Sequence, residues 1–550
     1  INSIDPEAVK DVELGDNIIG DTPNSVTGTT VADGTIVTWP MSVGSLGANR
    51  AQNVIKHTET ENLDSSLTYL SFKAYLPNAD GKMQDITEHI NVQQDGQKLV
   101  FTDDDYLISL YNKDKSQRFA LPVIDLVTRV NGDNKVIPNT FVSQFTFNDG
   151  KGNTITSVTS NQVNVSTFKS NPEKHVTLGT DIEGDDAENA DGTVVAQGSE
   201  VTWPLSDKSP LPANRSQDVK SHTLVDKLDD NLQYNSYKAY LKGIDGKLQD
   251  VTDHIKLTRD GQNLTFTDDD YLLDLYNKDK STAFNLPIID LVTTVVGNGK
   301  LIPNKFDSNF VFSDGNKDTI MKTTSNEVNI STYTPVANKD AELGDNVVGD
   351  TSDSIANETV PDGTVVTWPL SVSSLPANRS QDVFKHVIED ILDGNLTYNS
   401  FKAYLKDAAG NLQDVTDHVK LAQEGQHLTF TDDDYLINLY NSSKNKEQSL
   451  PIIDLVTTVH GDSKLIPNEF DNVFVFKDGK GQTTVKTTSN KVTIKTASLP
   501  TPTKEETDDQ GNNINGNEVK AGEHVNYTLN WDLSNNKDVK ATPEMIKKGF

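Results

Sequence analysis

Residues 325–345 read SNEVNISTYTPVANKDAELGD. The stretch alternates apolar and polar residues twice, on either side of Pro335. Asn326 falls in line with Val328 and Ile330, and Lys339 with Ala341 and Leu343. Period two is the signature of a half-buried β-strand. One strand therefore ends a unit, a short proline-containing joint follows, and a second strand opens the next unit. A carboxamide and an amine both lie on the apolar side, where an unpaired ammonium is costly.

The same phrases recur along the chain. VTWP places Trp39, Trp203 and Trp368 at nearly equal intervals, as TFTDDDYL and its variant do for Tyr106, Tyr271 and Tyr435. Between them recur ANR.QDV, Y.S(F/Y)KAYL, QD.T.H, LP.IDLVT.V and IPN.F. A period this long means whole domains in tandem rather than a solenoid. The repeats run over 1–170, 171–334 and 335–497. Residues 498–550, with Lys504 and Trp531 at altered spacing, read as the truncated start of a related fourth domain. The joints KSNPEK, YTPVANK and SLPTPTK suit short, stiff connectors.

Within a repeat the strong segments are GTVVTWPL, LTYNSFKAYL, HLTF, IIDLVTTV and NVFVF, β-branched and aromatic and separated by DG, NG and GD turns. They predict an all-β fold of tandem, elongated antiparallel sandwiches of immunoglobulin type. LPANRSQDV holds a turn and TDDDYLLDLYN a short helix. The helix is expected to start on a capping box, Thr267 with Asp270. Calcium held by loop aspartates and carbonyls is the other reading for so acidic a segment, although no EF-hand spacing occurs.

The chain carries 81 acidic against 49 basic residues and no cysteine. The charge disfavours nucleic acid and anionic membranes, and the composition excludes disulfides, thiolate–zinc sites and thiol nucleophiles. No apolar run reaches transmembrane length. The ends, INSID and EMIKKGF, read as those of an excised piece. His57, His222 and His386, like His89, His254 and His418, stand at no metal spacing and are expected to be structural. Carboxylates are too frequent for any pair to signal a glycosidase. Phosphate-loop and nucleophile-elbow motifs are absent.

In each repeat a lysine near the start (Lys10, Lys174, Lys339) and an asparagine near the end (Asn161, Asn326, Asn490) share apolar faces. Two readings are open. In one, the lysine snorkels and the asparagine bonds to backbone. In the other, Nζ and Cγ condense to an amide with loss of ammonia. That chemistry needs a neutral amine and a protonated acid beside the carboxamide. The acids expected there are Asp226 (alternating with Leu224 and Leu228), Asp390 (with Ile388 and Leu392) and Glu61. Asp64, Asp229 and Asp393 are the runners-up, on a polar face near a turn.

These residues resemble the isopeptide-forming adhesin domains in the C-terminal region of the streptococcal antigen I/II family and related lactic-acid-bacterial surface proteins. The resemblance rests on the opening lysines, the SN.V segments and the D.LD..L.Y segments, and the tail from Thr501 is similar to the opening of that family's following domain. It implies a self-formed Lys–Asn bond in each sandwich, no cofactor requirement, and a monomeric adhesive stalk attached to a Gram-positive cell wall. Glu61 departs from the aspartate it implies, and Lys504 has no partner asparagine within the chain. The stalk would perform single-turnover chemistry on itself and would not be an enzyme. The alternative is that each repeat binds surface glycoprotein or carbohydrate and gains by avidity. A secreted hydrolase is the weakest reading.

Overall fold

The structure is a computed structural model. It describes residues 6–18, 24–78, 80–181, 189–243, 245–313, 317–349, 354–407, 409–478, 481–532, 534–541 and 543. The terminal INSID and EMIKKGF lie outside the described residues.

Three sets of sheets follow one plan, and the middle set shows it well. One sheet is ordered Pro172–Lys174, Glu200–Asp207, Ile288–Val295, Leu232–Lys242, Leu248–Asp250, with Thr177–Leu178 also paired to Glu200–Asp207. The second is ordered Ile255–Asp260, Asn263–Asp268, Asp218–Lys227, Phe306–Ser313, Asp318–Thr324. All pairings within these two sheets are antiparallel. The molecule is thus an all-β tandem of antiparallel, immunoglobulin-like sandwiches. A small third sheet joins Leu301–Asn304 to Val328–Tyr333, and the latter runs parallel to Thr193–Ala196.

The expected strands form where alternation or β-branched runs place them. IIDLVTTV is the strand Ile452–Val459, and LTYNSFKAYL lies in Leu396–Lys406. Tight turns set the registers. Between Asp260 and Asn263, Gly261 takes φ 59°, a left-handed conformation that costs glycine nothing. Inward side chains of both sheets fill a core around Trp203, whose indole donates to Thr293 Oγ1 at 2.9 Å. Burying that ring without a partner for its N–H would be costly.

Two local expectations are corrected. The helix Asp270–Lys278 is capped by Asp269, which accepts from Leu272 N–H. Thr267 belongs to the preceding strand, as Thr102 and Thr431 do in the other copies. The strand register runs on through Asp268, so the carboxylate next along, Asp269, is the first side chain free to turn back onto the helix. Second, alternation does not persist through the opening strand. Lys10 and Val12 are buried as expected, but the strand breaks after Lys10 and resumes at Glu13, which is buried too.

Candidate functional site: a buried lysine, acid and asparagine

Lys174 ends the first strand of one sheet, and Asp226 lies near the end of a central strand of the other. Facing across the sandwich, Lys174 Nζ donates to Asp226 Oδ2, and both side chains are wholly buried. Lys10 meets Glu61 Oε2 and Lys339 meets Asp390 Oδ2 in the same way. The extra methylene of Glu61 does not change the pairing. Each amine lies between two aromatic rings. Lys174 Nζ is 5.7 Å from the centroid of Trp203 and 5.6 Å from that of Phe306. Lys10 sits by Trp39 and Phe141, and Lys339 by Trp368 and Phe470.

Such walls decide the protonation. Burial pushes Lys174 below the ordinary lysine value, and the opposing pull of Asp226 does not restore it. Burial likewise raises Asp226 above the ordinary carboxylate range against the pull of Lys174. Lys10 with Glu61 and Lys339 with Asp390 shift in the same directions. Both shifts favour a neutral amine beside a neutral acid, the state in which a lysine is a nucleophile and an acid can donate a proton.

The carboxamide beside this pair belongs to Asn304, the last residue of Leu301–Asn304. It abuts Asp226 and is almost wholly buried. Asn139 and Asn468 abut Glu61 and Asp390 likewise. Neither amide atom of these three asparagines completes a well-formed hydrogen bond among the described residues. Buried polar atoms are rarely left so.

The asparagines expected from the SN.V segments are held elsewhere. Asn326 Oδ1 accepts from the backbone N–H of Lys174 at 2.9 Å, and its Nδ2 donates to the Lys174 carbonyl at 2.9 Å. Asn161 grips Lys10 and Asn490 grips Lys339 in the same manner. Their carboxamides are spent on the main chain, so they position the lysine strand. The signal for Asn304 was present in IPN.F: Ile302, Asn304 and Phe306 alternate onto the buried face. The runner-up acids make turns. Asp229 Oδ1 accepts from Asn231 N–H, Asp64 from Ser66 N–H, and Asp393 from Asn395 N–H.

Three of the histidines, His57, His222 and His386, are built into the core. His222 Nδ1 lies 2.8 Å from Asp268 Oδ2, which also accepts from Tyr276 OH at 2.5 Å. His57 and His386 are placed alike, on Asp103 and Asp432. His89, His254 and His418 pair with the helix caps Asp104, Asp269 and Asp433. Among the described residues no three His, Asp or Glu side chains stand where they could hold a metal ion together. Lys504 lies 4.0 Å from the centroid of the Tyr527 ring and is exposed.

Residues 502–550 match the family of the cell surface antigen I/II C2 terminal domain. The likeness read from the tail of the sequence is met there. Among solved structures, the C-terminal domain of the Streptococcus agalactiae AgI/II polypeptide BspA is 17% identical. It covers 59% of this chain and 99% of its own, with a TM-score of 0.41. The C-terminal domain of the Streptococcus pyogenes antigen I/II-family protein AspA is 16% identical, with coverages of 59% and 99% and a TM-score of 0.43. The full-length major pilin SpaD of Corynebacterium diphtheriae is 14% identical, with coverages of 79% and 86% and a TM-score of 0.29. No curated protein sequence matches the chain. At these identities and TM-scores the likenesses carry no argument about function.

Proposed function

We propose that the chain is part of a Gram-positive cell-surface adhesin stalk whose three repeats each form one intramolecular isopeptide bond. The bonds join Lys10 to Asn139, Lys174 to Asn304 and Lys339 to Asn468. Glu61, Asp226 and Asp390 serve as the assisting acids. The observation that carries this reading is the same buried amine, acid and carboxamide in all three copies.

The neutral amine attacks Cγ while the acid protonates Oδ1 of the carboxamide. The tetrahedral centre then collapses, the C–N bond to Nδ2 breaks, and a proton passed from Nζ through the carboxylate leaves with ammonia. No cofactor takes part and the acid is regenerated, so each repeat reacts once and is no enzyme toward other molecules. Intact-mass measurement of the purified chain tests this. A deficit of three ammonias supports the bonds, and a full unreacted mass overturns them.

A second reading, that the repeats bind surface glycoprotein or carbohydrate, is favoured by a different observation. Tyr106, Tyr271 and Tyr435 stand exposed at the helix starts, each stacked about 4 Å from a histidine that an aspartate orients. An exposed ring fixed in this way offers its free face to a sugar. Loss of glycan binding in the chain with all three tyrosines changed to alanine would support it. Unchanged binding would remove it.

A further inference from the structure

The recurring segment ANR.Q does its work between repeats. In the second repeat, Asn214 lies at φ 57°, and its carbonyl accepts from Thr30 N–H of the first repeat at 2.8 Å. Ser216 N–H returns a bond to the Thr30 carbonyl at 3.1 Å, so a parallel bridge joins Thr30 to Arg215. Two residues further, the buried Gln217 Oε1 accepts from Ala32 N–H at 2.9 Å. The second joint repeats this geometry. Val194 bridges Arg379, and Gln381 Oε1 accepts from Ala196 N–H at 2.8 Å.

Apolar side chains seal both joints. Ala32 and Phe168 belong to the core of the second repeat, where Phe168 meets Phe312 edge-on at 5.4 Å. Ala196 belongs to the core of the third, and Tyr333 meets Phe476 at 5.8 Å. The loop of the first repeat, against which no other repeat packs among the described residues, has the same shape. In the first repeat Asn49 lies at φ 59°, and Arg50 donates to the carbonyls of Gly47 and Tyr111. Arg215 holds Pro212 and Tyr276 in the same way. The loop is therefore preformed, which lowers the ordering cost of docking.

The third joint keeps the bridge, now Thr359 to Val539, but lacks the glutamine contact on both sides. Pro361 stands where Ala32 and Ala196 offer an N–H, and Ala541 stands two residues beyond the bridge, where the other joints have glutamine. Donor and acceptor are present together or missing together.

We infer that the ANR.Q loop is a preformed socket for the edge strand of the preceding repeat, and that Gln217 and Gln381 lock the angle between neighbours. This does not depend on the cross-links, which lie inside single repeats. Because a buried acceptor replaces a flexible linker, each of the first two joints holds one orientation.

The chain has no cysteine, so spin labels attach only where cysteines are introduced. Labels at exposed Asn91 and Lys256 span the first joint, and labels at Lys256 and Lys420 span the second, in the full chain. Narrow distance distributions are expected at both. Gln217→Ala should at least double the width at the first joint and leave the second unchanged, and Gln381→Ala should do the reverse. Ala32→Pro, which copies Pro361, removes the donor instead. It should broaden the first joint equally and add nothing to Gln217→Ala. Broad distributions in the unaltered chain, or unchanged widths in both the glutamine and the proline variants, would overturn the lock.

Discussion

The carboxamide of Asn326 brackets the backbone of Lys174, accepting from its N–H and donating to its carbonyl at 2.9 Å each. It thereby holds the first strand in register, while the amine of the same lysine reaches past it to Asp226. The two asparagines of the repeat should separate cleanly on substitution. Asn326→Ala should keep the ammonia deficit of the second repeat and lower its stability by about 1–3 kcal/mol, the cost of two lost hydrogen bonds. Asn304→Ala should add one ammonia back to the mass of the chain. Closing a loop of about 130 residues is worth about 5 kcal/mol, so this variant should also lose most. Mass spectrometry read beside thermal melting checks both.

The acids separate in the same way. Asp226→Ala should abolish the second bond, because Asp226 is the buried acid that abuts the Asn304 carboxamide. It also leaves Lys174 buried without its partner, which should cost about 3–5 kcal/mol. Asp229→Ala should leave the mass untouched and cost about 0.5–2 kcal/mol through the lost turn bond to Asn231. A mass deficit that survives Asp226→Ala but disappears in Asp229→Ala would reverse the two roles.

Much of this was legible before any coordinates. Leu224, Asp226 and Leu228 alternate, and that pattern alone put Asp226 inside. Lys10, Lys174 and Lys339 were found likewise. The asparagine was harder, because the SN.V segments show the same alternation as IPN.F, and both reach the lysine strand. Only the coordinates show that Asn326 turns to the backbone and Asn304 to the acid. Burial of Glu13 escaped because the strand breaks and its phase resets, which a period-two reading assumes does not happen. The glutamine joints escaped because Gln217 answers to Ala32, a residue in another repeat, and no local pattern carries that relation.

Repeat one holds a second buried acid, Glu59, where the other repeats have Leu224 and Ile388. Burial pushes it up to about 8, with Asp103 and Glu61 adding to the rise while His57 and Lys10 oppose it. Neither oxygen has a hydrogen bond among the described residues. Unfolded, the group titrates near its ordinary value of 4.5. Between those values the folded state binds more protons than the unfolded one, so stability falls as pH rises, by up to ~1.4 kcal/mol per pH unit. The loss is complete above about pH 8. Melting of the full chain from pH 5 to 8 should show one transition falling in this range, and Glu59→Leu should flatten it. A transition of constant height in the unaltered chain would show that Glu59 is not the cause.

Pulling on the chain distinguishes the two possible bond positions mechanically. Force on the second repeat enters near Pro172 and leaves near Tyr333. A bond from Lys174 to Asn304 shields everything between them but not the strands Phe306–Ser313, Asp318–Thr324 and Val328–Tyr333. Those three could still peel away, releasing about 30 residues, or about 100 Å at full extension. A bond to Asn326 would release almost nothing, and an unlinked repeat about 160 residues, or roughly 550 Å. Single-molecule force spectroscopy should therefore give short steps near 100 Å in the unaltered chain. In Asn304→Ala, one repeat per molecule should instead give a step near 550 Å. Long steps from all three repeats of the unaltered chain would mean that no bond carries the load.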